Sequence, residues 1–240
     1  MTYNVHRCLG MDGKLSVERI ARVIARHRPA MIALQELDAG RPRSGVVDQA
    51  EEIARLLDLK FHFHPVLRME DELYGNAILS CYPIELVRAG SLPKIAKSSL
   101  FEPRGAMWVE IDVEGRKVQM MNTHLSLWFF ERARQASALC GNEWLGHPEC
   151  RKNVIFCGDF NTTPGSKICE GFECGLTDAE KRVRSGNSLK TWFGHCPIGR
   201  IDHIFVSPDV GVSHVEVPSA RLERMASDHL PFIADLALSS

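Results

Sequence analysis

The sequence has no Cys-x-x-Cys pair, although it holds eight cysteines, at positions 8, 81, 140, 150, 157, 169, 174 and 196. That absence removes the usual zinc-ribbon and thiol-redox motifs. Several of the cysteines sit inside apolar or helical runs, so reduced, scattered thiols are expected, as in a cytoplasmic protein. No His-x-x-x-His pair occurs either. No apolar run approaches the ~20 residues of a membrane span, and no signal peptide is visible. An excess of either charge is missing too: 29 Lys and Arg face 30 Asp and Glu, for a net charge of -1. Proteins that grip long nucleic acid by its phosphates are usually basic, so nucleic acid is admitted as a partner but not favoured. Only a local basic patch would reverse that expectation. Repeats, low-complexity tracts and linkers are absent, and 240 residues suit one domain over 1–240 with a sizeable core. A monomer is expected.

What is present is a set of short apolar runs that end in polar residues. Val154 to Cys157 reads as a buried strand, released at Gly158, with Asp159 and Asn161 following. Residues two apart in extended chain point the same way. A carboxylate and a carboxamide thus project together from the C-terminal edge of a sheet, where ligands of α/β proteins bind. Thr2 to Val5 is β-prone and exits at Asn4; it looks shortened, leaving room for residues upstream of Met1, a leader included. Ser16 is a plausible N-cap for a helix whose apolar positions are Val17, Ile20, Ala21, Val23 and Ile24, stopped by Pro29. Arg19, Arg22 and Arg26 fall on its other side and read as a solvated face.

The buried run Ala30 to Leu34 ends in Gln35-Glu36, and a second helix is expected over about 48–57. Phe61 to His64 alternates as a strand, with its histidines read as facing solvent. Gly75-Asn76 reads as a turn into the strand at Ala77 to Ser80. Strands at 83–89, 106–113 and 117–121 follow, the last two joined by a hairpin turn at Glu114-Gly115. The last of them leads into Asn122-Thr123-His124. A helix over 129–144 is expected to bury Phe129, Ala133, Ala136 and Cys140. Residues 170–194 look irregular, and Lys181-Arg182-Val183-Arg184 reads as a solvated loop. Arg200 to Val206 is a strand through Asp202, and Ser227-Asp228-His229 leads into the last one. Helices between strands at both ends and hairpins in the middle do not suit a doubly wound sheet. Two mixed sheets with helices outside fit better.

Asn4, Glu36, Asn76, His124, Asp159 with Asn161, Asp202, and Asp228 with His229 therefore all stand at strand ends. Carboxylates beside an apolar core cost free energy unless something compensates them. The donor set is oxygen-rich and lacks a thiolate cluster, which selects Mg²⁺ or Mn²⁺ over zinc. Such an ion keeps several waters and suits phosphate chemistry.

These stretches resemble the motifs of the endonuclease/exonuclease/phosphatase superfamily, which includes deoxyribonuclease I, apurinic-site endonucleases, neutral sphingomyelinases and inositol polyphosphate 5-phosphatases. The carrying residues are Tyr3-Asn4-Val5-His6, Leu34-Gln35-Glu36, Tyr74-Gly75-Asn76, Asn122-Thr123-His124-Leu125, Gly158-Asp159-Phe160-Asn161, Arg200-Ile201-Asp202-His203 and Ser227-Asp228-His229-Leu230-Pro231, in order along nearly the whole chain. Within the superfamily, the compact bacterial stand-alone metal-dependent hydrolases are most similar.

The resemblance implies an α/β fold of four layers, an αββα sandwich with two mixed β-sheets packed face to face. It also implies a metal-dependent phosphoric ester hydrolase. Glu36 would be the main Mg²⁺ (or Mn²⁺) ligand, with Asn4 beside it and Asp228 in support. Asp159 would orient and deprotonate the attacking water, and Asn161 would hold that water or a phosphate oxygen. Asp202 would orient His229, a base or a charged clamp. His124 would stabilise the transition state or protonate the leaving oxygen, across the phosphorus from Asp159. Asn76 and Arg104 would contact the phosphate. A small-molecule or lipid phosphoester is favoured as substrate. A nuclease or DNA-repair activity is the alternative, and an inactive binding module a third. Trp128, Phe129 and Phe130 are read first as helix packing; the other reading is transient contact of Trp128 and Phe130 with a lipid surface.

Overall fold

The computed structural model describes residues 1–95, 102–184 and 188–238. Twelve strands and six helices are named here in chain order. They are β1 (Thr2–Asn4), α1 (Val17–His27), β2 (Met31–Ala39), α2 (Gln49–Leu57), β3 (Lys60–Met69), β4 (Glu72–Ser80), β5 (Ile84–Ser91) and β6 (Gly105–Val113). Then follow β7 (Arg116–His124), α3 (Phe129–Leu139), β8 (Val154–Asp159), α4 (Lys167–Phe172), β9 (Thr177–Asp178), α5 (Ala179–Val183), β10 (Asp202–Val206), β11 (Val210–Glu216), α6 (Arg221–Ala226) and β12 (Ile233–Leu238).

One sheet runs β1-β2-β4-β3 and the other β5-β6-β7-β8-β10-β9. The hairpin β11-β12 extends the first sheet through reciprocal backbone bonds between Thr2 and Phe232, at 2.9 and 3.0 Å. Both main sheets are mixed, since β1 is parallel to β2 and β7 to β8 while the other pairs are antiparallel. They pack face to face, β1 over β8 and β10, β4 over β6 and β7. Helices α1 and α2 cover the outer face of the first sheet, α3 and α4 that of the second. This is the expected αββα sandwich.

The central strands are apolar on both faces because both faces are covered. In β8, Ile155 and Cys157 join the core between the sheets, while Val154 and Phe156 join the core under α3 and α4. Ile204 and Phe205 divide the same way. On the other side, Ile20, Val23 and Ile24 of α1 and Ile53 of α2 pack on Ile32, Leu34 and Leu79. Ser16 caps α1 by accepting from the Arg19 amide at 3.1 Å, and Asp48 caps α2 in the same manner. Gly158 is required where it stands: at φ +145° a Cβ would lie 1.9 Å from the Thr123 carbonyl oxygen of the neighbouring strand.

Several expectations are corrected. Gly75-Asn76 is not a turn but the middle of β4. The strand at 31 does not stop at Glu36; it continues to Ala39 through a β-bulge. His62 and His64 are half-buried, not turned to solvent. Helix α3 ends at Leu139 and buries Glu131, Gln135, Ala136 and Leu139, leaving Phe129 and Cys140 exposed. The stretch 170–194 contains the end of α4, β9 and α5, with 185–187 outside the described residues. All eight cysteines are free thiols. Among the described residues no helix is long and apolar enough to cross a membrane.

Candidate active site

Strand register does most of the assembly. His124 pairs with Asp159 across β7 and β8, and Asp159 pairs with Asp202 across β8 and β10. Cross-strand partners share one face of a sheet. The three side chains therefore stand in a row along one edge of the second sheet. Asn4, at the end of β1, faces them from the first sheet.

Glu36 reaches the same place by a different device. Leu34 pairs with Ala77 and Leu37 with Gly75, so Gln35 and Glu36 together oppose Asn76 alone. The extra residue puts Glu36 at φ +61° and re-aims its side chain. His6, Arg7 and Cys8 also lie in the left-handed region, at φ 45°, 56° and 58°, as does Asn161 at 50°. Such backbone costs of order 1–3 kcal/mol per non-glycine residue and gathers at functional sites. Beneath the edge, Gln35 donates to the Asn122 side-chain oxygen at 2.8 Å, and Asn122 donates to the Leu34 and Ala77 carbonyls. This buried bridge ties the two sheets together directly under the site.

The contacts are close. The Asn4 amide nitrogen donates to Glu36 Oε1 and to Asp159 Oδ2, both at 3.0 Å. The Asn161 backbone N–H donates to Asp159 Oδ1 at 2.9 Å. His229 Nδ1 lies 2.9 Å from Asp202 Oδ2, and its Nε2 lies 3.6 Å from Asp159 Oδ2. Arg104 donates to His124 Nδ1 at 3.0 Å. Guanidinium nitrogens only donate, so the single proton of a neutral His124 ring sits on Nε2. That nitrogen lies 3.4 Å from Asp159 Oδ2 and 3.1 Å from the Asn161 amide nitrogen, which also donates to the Leu125 carbonyl. The Arg104 Nε is buried without a partner. Arg104 also pairs with Glu102 at 2.8 Å, so it holds the His124 ring from one side while the Asn161 amide lies against the other.

Electrostatics divide the two histidines. Burial, then Arg104 and His229, push His124 well below the ordinary imidazole range, so it is neutral. Burial also pushes His229 down, but the Asp202 and Asp159 carboxylates outweigh it and hold the ring up at about 10. Asp159 is raised to about 6, chiefly by burial, with His229 opposing.

Two expectations of geometry change. His124 and Asp159 are neighbours, not groups facing each other across a gap. Asn4 offers Glu36 its nitrogen, because its oxygen accepts the His6 backbone N–H at 3.0 Å. It therefore bridges the carboxylates as a donor. Asn76 lies opposite the bulge with its amide on the Gly105 carbonyl at 3.4 Å, and so supports the bulge. Cavities of about 320, 330 and 530 Å³ are lined by other segments. Ser227, quoted in the sequence only as part of its motif, donates its hydroxyl to the Asn4 carbonyl at 2.8 Å, and Thr191, which sequence reasoning passed over, accepts from the Ile201 and Asp202 amides. An isolated hydroxyl such as that of Thr191 carries no signal in a sequence.

Among the described residues, one group of side chains could gather around a cation. Asp159, Asp202 and His229 can bring one ligand atom each within 4.8 Å. His229 spends Nδ1 on Asp202 and turns Nε2 toward Asp159. The side chains of Glu36 and Asp228 are 20% and 23% exposed; Glu36 accepts from Asn4, Asp228 lies 3.6 Å from His6 Nδ1 and accepts from the Ser227 hydroxyl, and among the described residues neither pairs with Lys or Arg. Partly open carboxylates of this kind fit a hard divalent ion.

A sequence model of the Endonuclease/Exonuclease/phosphatase family matches residues 1–229. The chain belongs to that family. Its members are phosphoesterase hydrolases and generally depend on a divalent metal. No curated protein matches the chain. Among solved structures, a family member from Beutenbergia cavernae is 25% identical with a TM-score of 0.80, over 99% of this chain and 70% of that one. A mannosyl-6-phosphatase from Bacteroides thetaiotaomicron is 20% identical with a TM-score of 0.73, over 99% and 98%. The human Nocturnin catalytic domain, with bound sulfate, is 20% identical with a TM-score of 0.71, over 99% and 92%.

Proposed function

We propose that the chain is a Mg²⁺- or Mn²⁺-dependent phosphoesterase with one active site, formed by Glu36, Asp159, Asn161, Asp202, His229, His124 and Arg104. The carrying observation is the convergence of His124, Asp159 with Asn161, Asp202 and His229, from four segments of the chain, each within 3.6 Å of a neighbour, with Asp159 raised to about 6. Glu36 and Asp228 would hold the cation, which supplies charge neutralisation at a phosphoryl oxygen. Asp159, held by Asn4 and the Asn161 backbone, orients a water and accepts its proton. A base near neutrality is the useful one at physiological pH. His229, kept charged by Asp202, clamps a phosphoryl oxygen. His124 acts as a neutral N–H donor to the developing charge, and Arg104 fixes its tautomer. Phosphoryl transfer asks mainly for such positioning and neutralisation.

A lipid or other amphipathic phosphoester is the favoured substrate. Leu127, Trp128, Phe129 and Phe130 follow the His124 motif directly and are between 55% and 76% exposed. The reading of these aromatics as helix packing is therefore overturned. The ridge is held rigidly: Ser126 accepts from the Trp128 amide, and Arg132 donates to the Ser126 and Leu127 carbonyls. Contiguous exposed apolar residues mark interaction sites.

The test is hydrolysis of bis-p-nitrophenyl phosphate, plasmid DNA and vesicle-embedded phospholipid with Mg²⁺, for the wild type and Asp159→Asn. Turnover should fall about a thousandfold or more in the variant, with the melting temperature unchanged. An undiminished Asp159→Asn enzyme sinks the mechanism. Replacing Trp128 and Phe130 by Ser should depress hydrolysis of the vesicle substrate alone; an equal fall on the soluble diester removes the lipid reading.

A further inference from the structure

Helix α1 carries Arg19, Arg22 and Arg26, and α6 carries Arg221 and Arg224. The two helices pack side by side. A surface groove of about 530 Å³ between them is walled by Arg19, Arg22, Arg26 and Arg221 and floored by Leu222 and Met225. It continues into a second depression of about 340 Å³ that adds Arg224 and His195 and shares Arg221 and Met225. Five arginines from two segments far apart in sequence thus converge, in a chain whose net charge is only -1.

Their neutralisation is incomplete. Arg19 is paired with Asp12 at 2.8 Å, and Arg26 lies 3.6 Å from Glu223. Among the described residues Arg22 and Arg221 have no ion-pair partner, and Arg224 bonds only to the Ser219 carbonyl. Three surplus positive charges around one depression repel one another, and an anion relieves that repulsion. Of the three, Arg22 borders the first depression, Arg224 the second and Arg221 both. That spread calls for several anionic groups in a row, and the guanidinium fork matches phosphate oxygens two at a time.

We propose that the α1–α6 groove is a binding site for a linear oligophosphate. Single-stranded nucleic acid fits it less well, because such sites stack bases on aromatic side chains and the residues lining the groove include none. A membrane's anionic headgroups present similar charges, so stronger arginine-dependent binding to phosphatidylserine vesicles than to tripolyphosphate overturns the choice of occupant. The site stands independently of the chemistry proposed at Asp159. Arg19 does link the two places, since it donates to the Met225 carbonyl, three residues before Asp228.

Titration calorimetry with sodium tripolyphosphate, in metal-free buffer and with the full chain, tests this without any turnover. Tripolyphosphate should bind at least about tenfold more tightly than orthophosphate. The triple variant Arg22→Gln, Arg221→Gln, Arg224→Gln should lose at least about tenfold in affinity with an unchanged melting temperature. Arg104→Gln, in the other site, should leave the groove's tripolyphosphate binding event in place. Should the triple variant misfold, Arg22→Gln and Arg224→Gln singly must each weaken binding. Equal affinity for the two anions, insensitivity to the groove arginines, or loss only in Arg104→Gln overturns the proposal. Tighter, arginine-dependent binding of a single-stranded oligonucleotide overturns the choice of occupant.

Discussion

His124 and His229 stand on either side of one carboxylate, yet their neighbours give them opposite protonation. Arg104 faces His124, whereas Asp202 faces His229. The two positions should therefore answer differently to glutamine. His124→Gln keeps a neutral N–H donor and should lose about 10–100-fold in turnover, while His229→Gln discards a charge and should lose about a thousandfold or more. Steady-state kinetics on a soluble diester check the ranking; a larger loss at His124, with a changed alkaline limb in the pH–rate profile, would make it the general acid instead. Both positions stand out in the sequence, His124 at the exit of one apolar run and His229 at the entrance to another. Their protonation was not legible there, since it depends on Arg104 and Asp202, which only the fold brings into contact. Glu36 was found for a partly mistaken reason. Periodicity stops at Gln35-Glu36 because a bulge breaks the alternation, and an interrupted strand looks like a finished one.

At the scale of elements, α3 was misread and α5 was missed, for related reasons. The apolar stripe through Phe129, Ala133, Ala136 and Cys140 assumes that only apolar groups turn inward. Here Gln135 turns inward, accepting from the Ser126 amide and donating to the Pro93 carbonyl, and the helix rotates its aromatics outward. Helix α5 is five residues long and is capped by Asp178. That carboxylate also binds Arg200 at 2.7 Å, in a fully buried ion pair. Burial raises the Asp178 pKa, but His203 and Arg200 overcome this and hold it at about 2, against 3.8 for a free side chain. A depressed carboxylate adds stability above its unfolded value, and that stability is lost as pH falls through the folded one. Asp178→Asn leaves Arg200 buried without this partner and should cost about 3 kcal/mol or more at neutral pH. The gap between wild type and variant should narrow as pH drops from about 4 to 2. Denaturant titrations at several pH values measure it, and a gap independent of pH refutes the assignment.

Across the whole molecule, the site exists only while both sheets are packed. Asn4 and Glu36 come from one sheet and His124, Asp159 and Asp202 from the other, with Asp228 and His229 on the chain entering β12. The four carboxylates Glu36, Asp159, Asp202 and Asp228 are gathered against His229 and Arg104, so the fold carries a local surplus of negative charge. Two mixed sheets were legible in the order of elements, helices between strands at both ends and hairpins in the middle, while the four-layer arrangement came from the resemblance of the motifs. An ion held by Glu36 and Asp228, which are far apart in sequence, would stabilise the folded chain, because the unfolded chain has no such site. At a concentration about 100-fold above its dissociation constant, the linkage amounts to about 2.7 kcal/mol. For a chain of this size that shifts the melting temperature by roughly 5–10 °C. Mg²⁺ or Mn²⁺ should produce this rise in the wild type and little of it in Glu36→Gln, which loses a charged ligand. Excess chelator should abolish hydrolysis and return the melting temperature to that of the metal-free protein, still folded. An identical rise in both proteins would place the ion away from Glu36, and no rise at saturating metal would remove the cation from the proposed site.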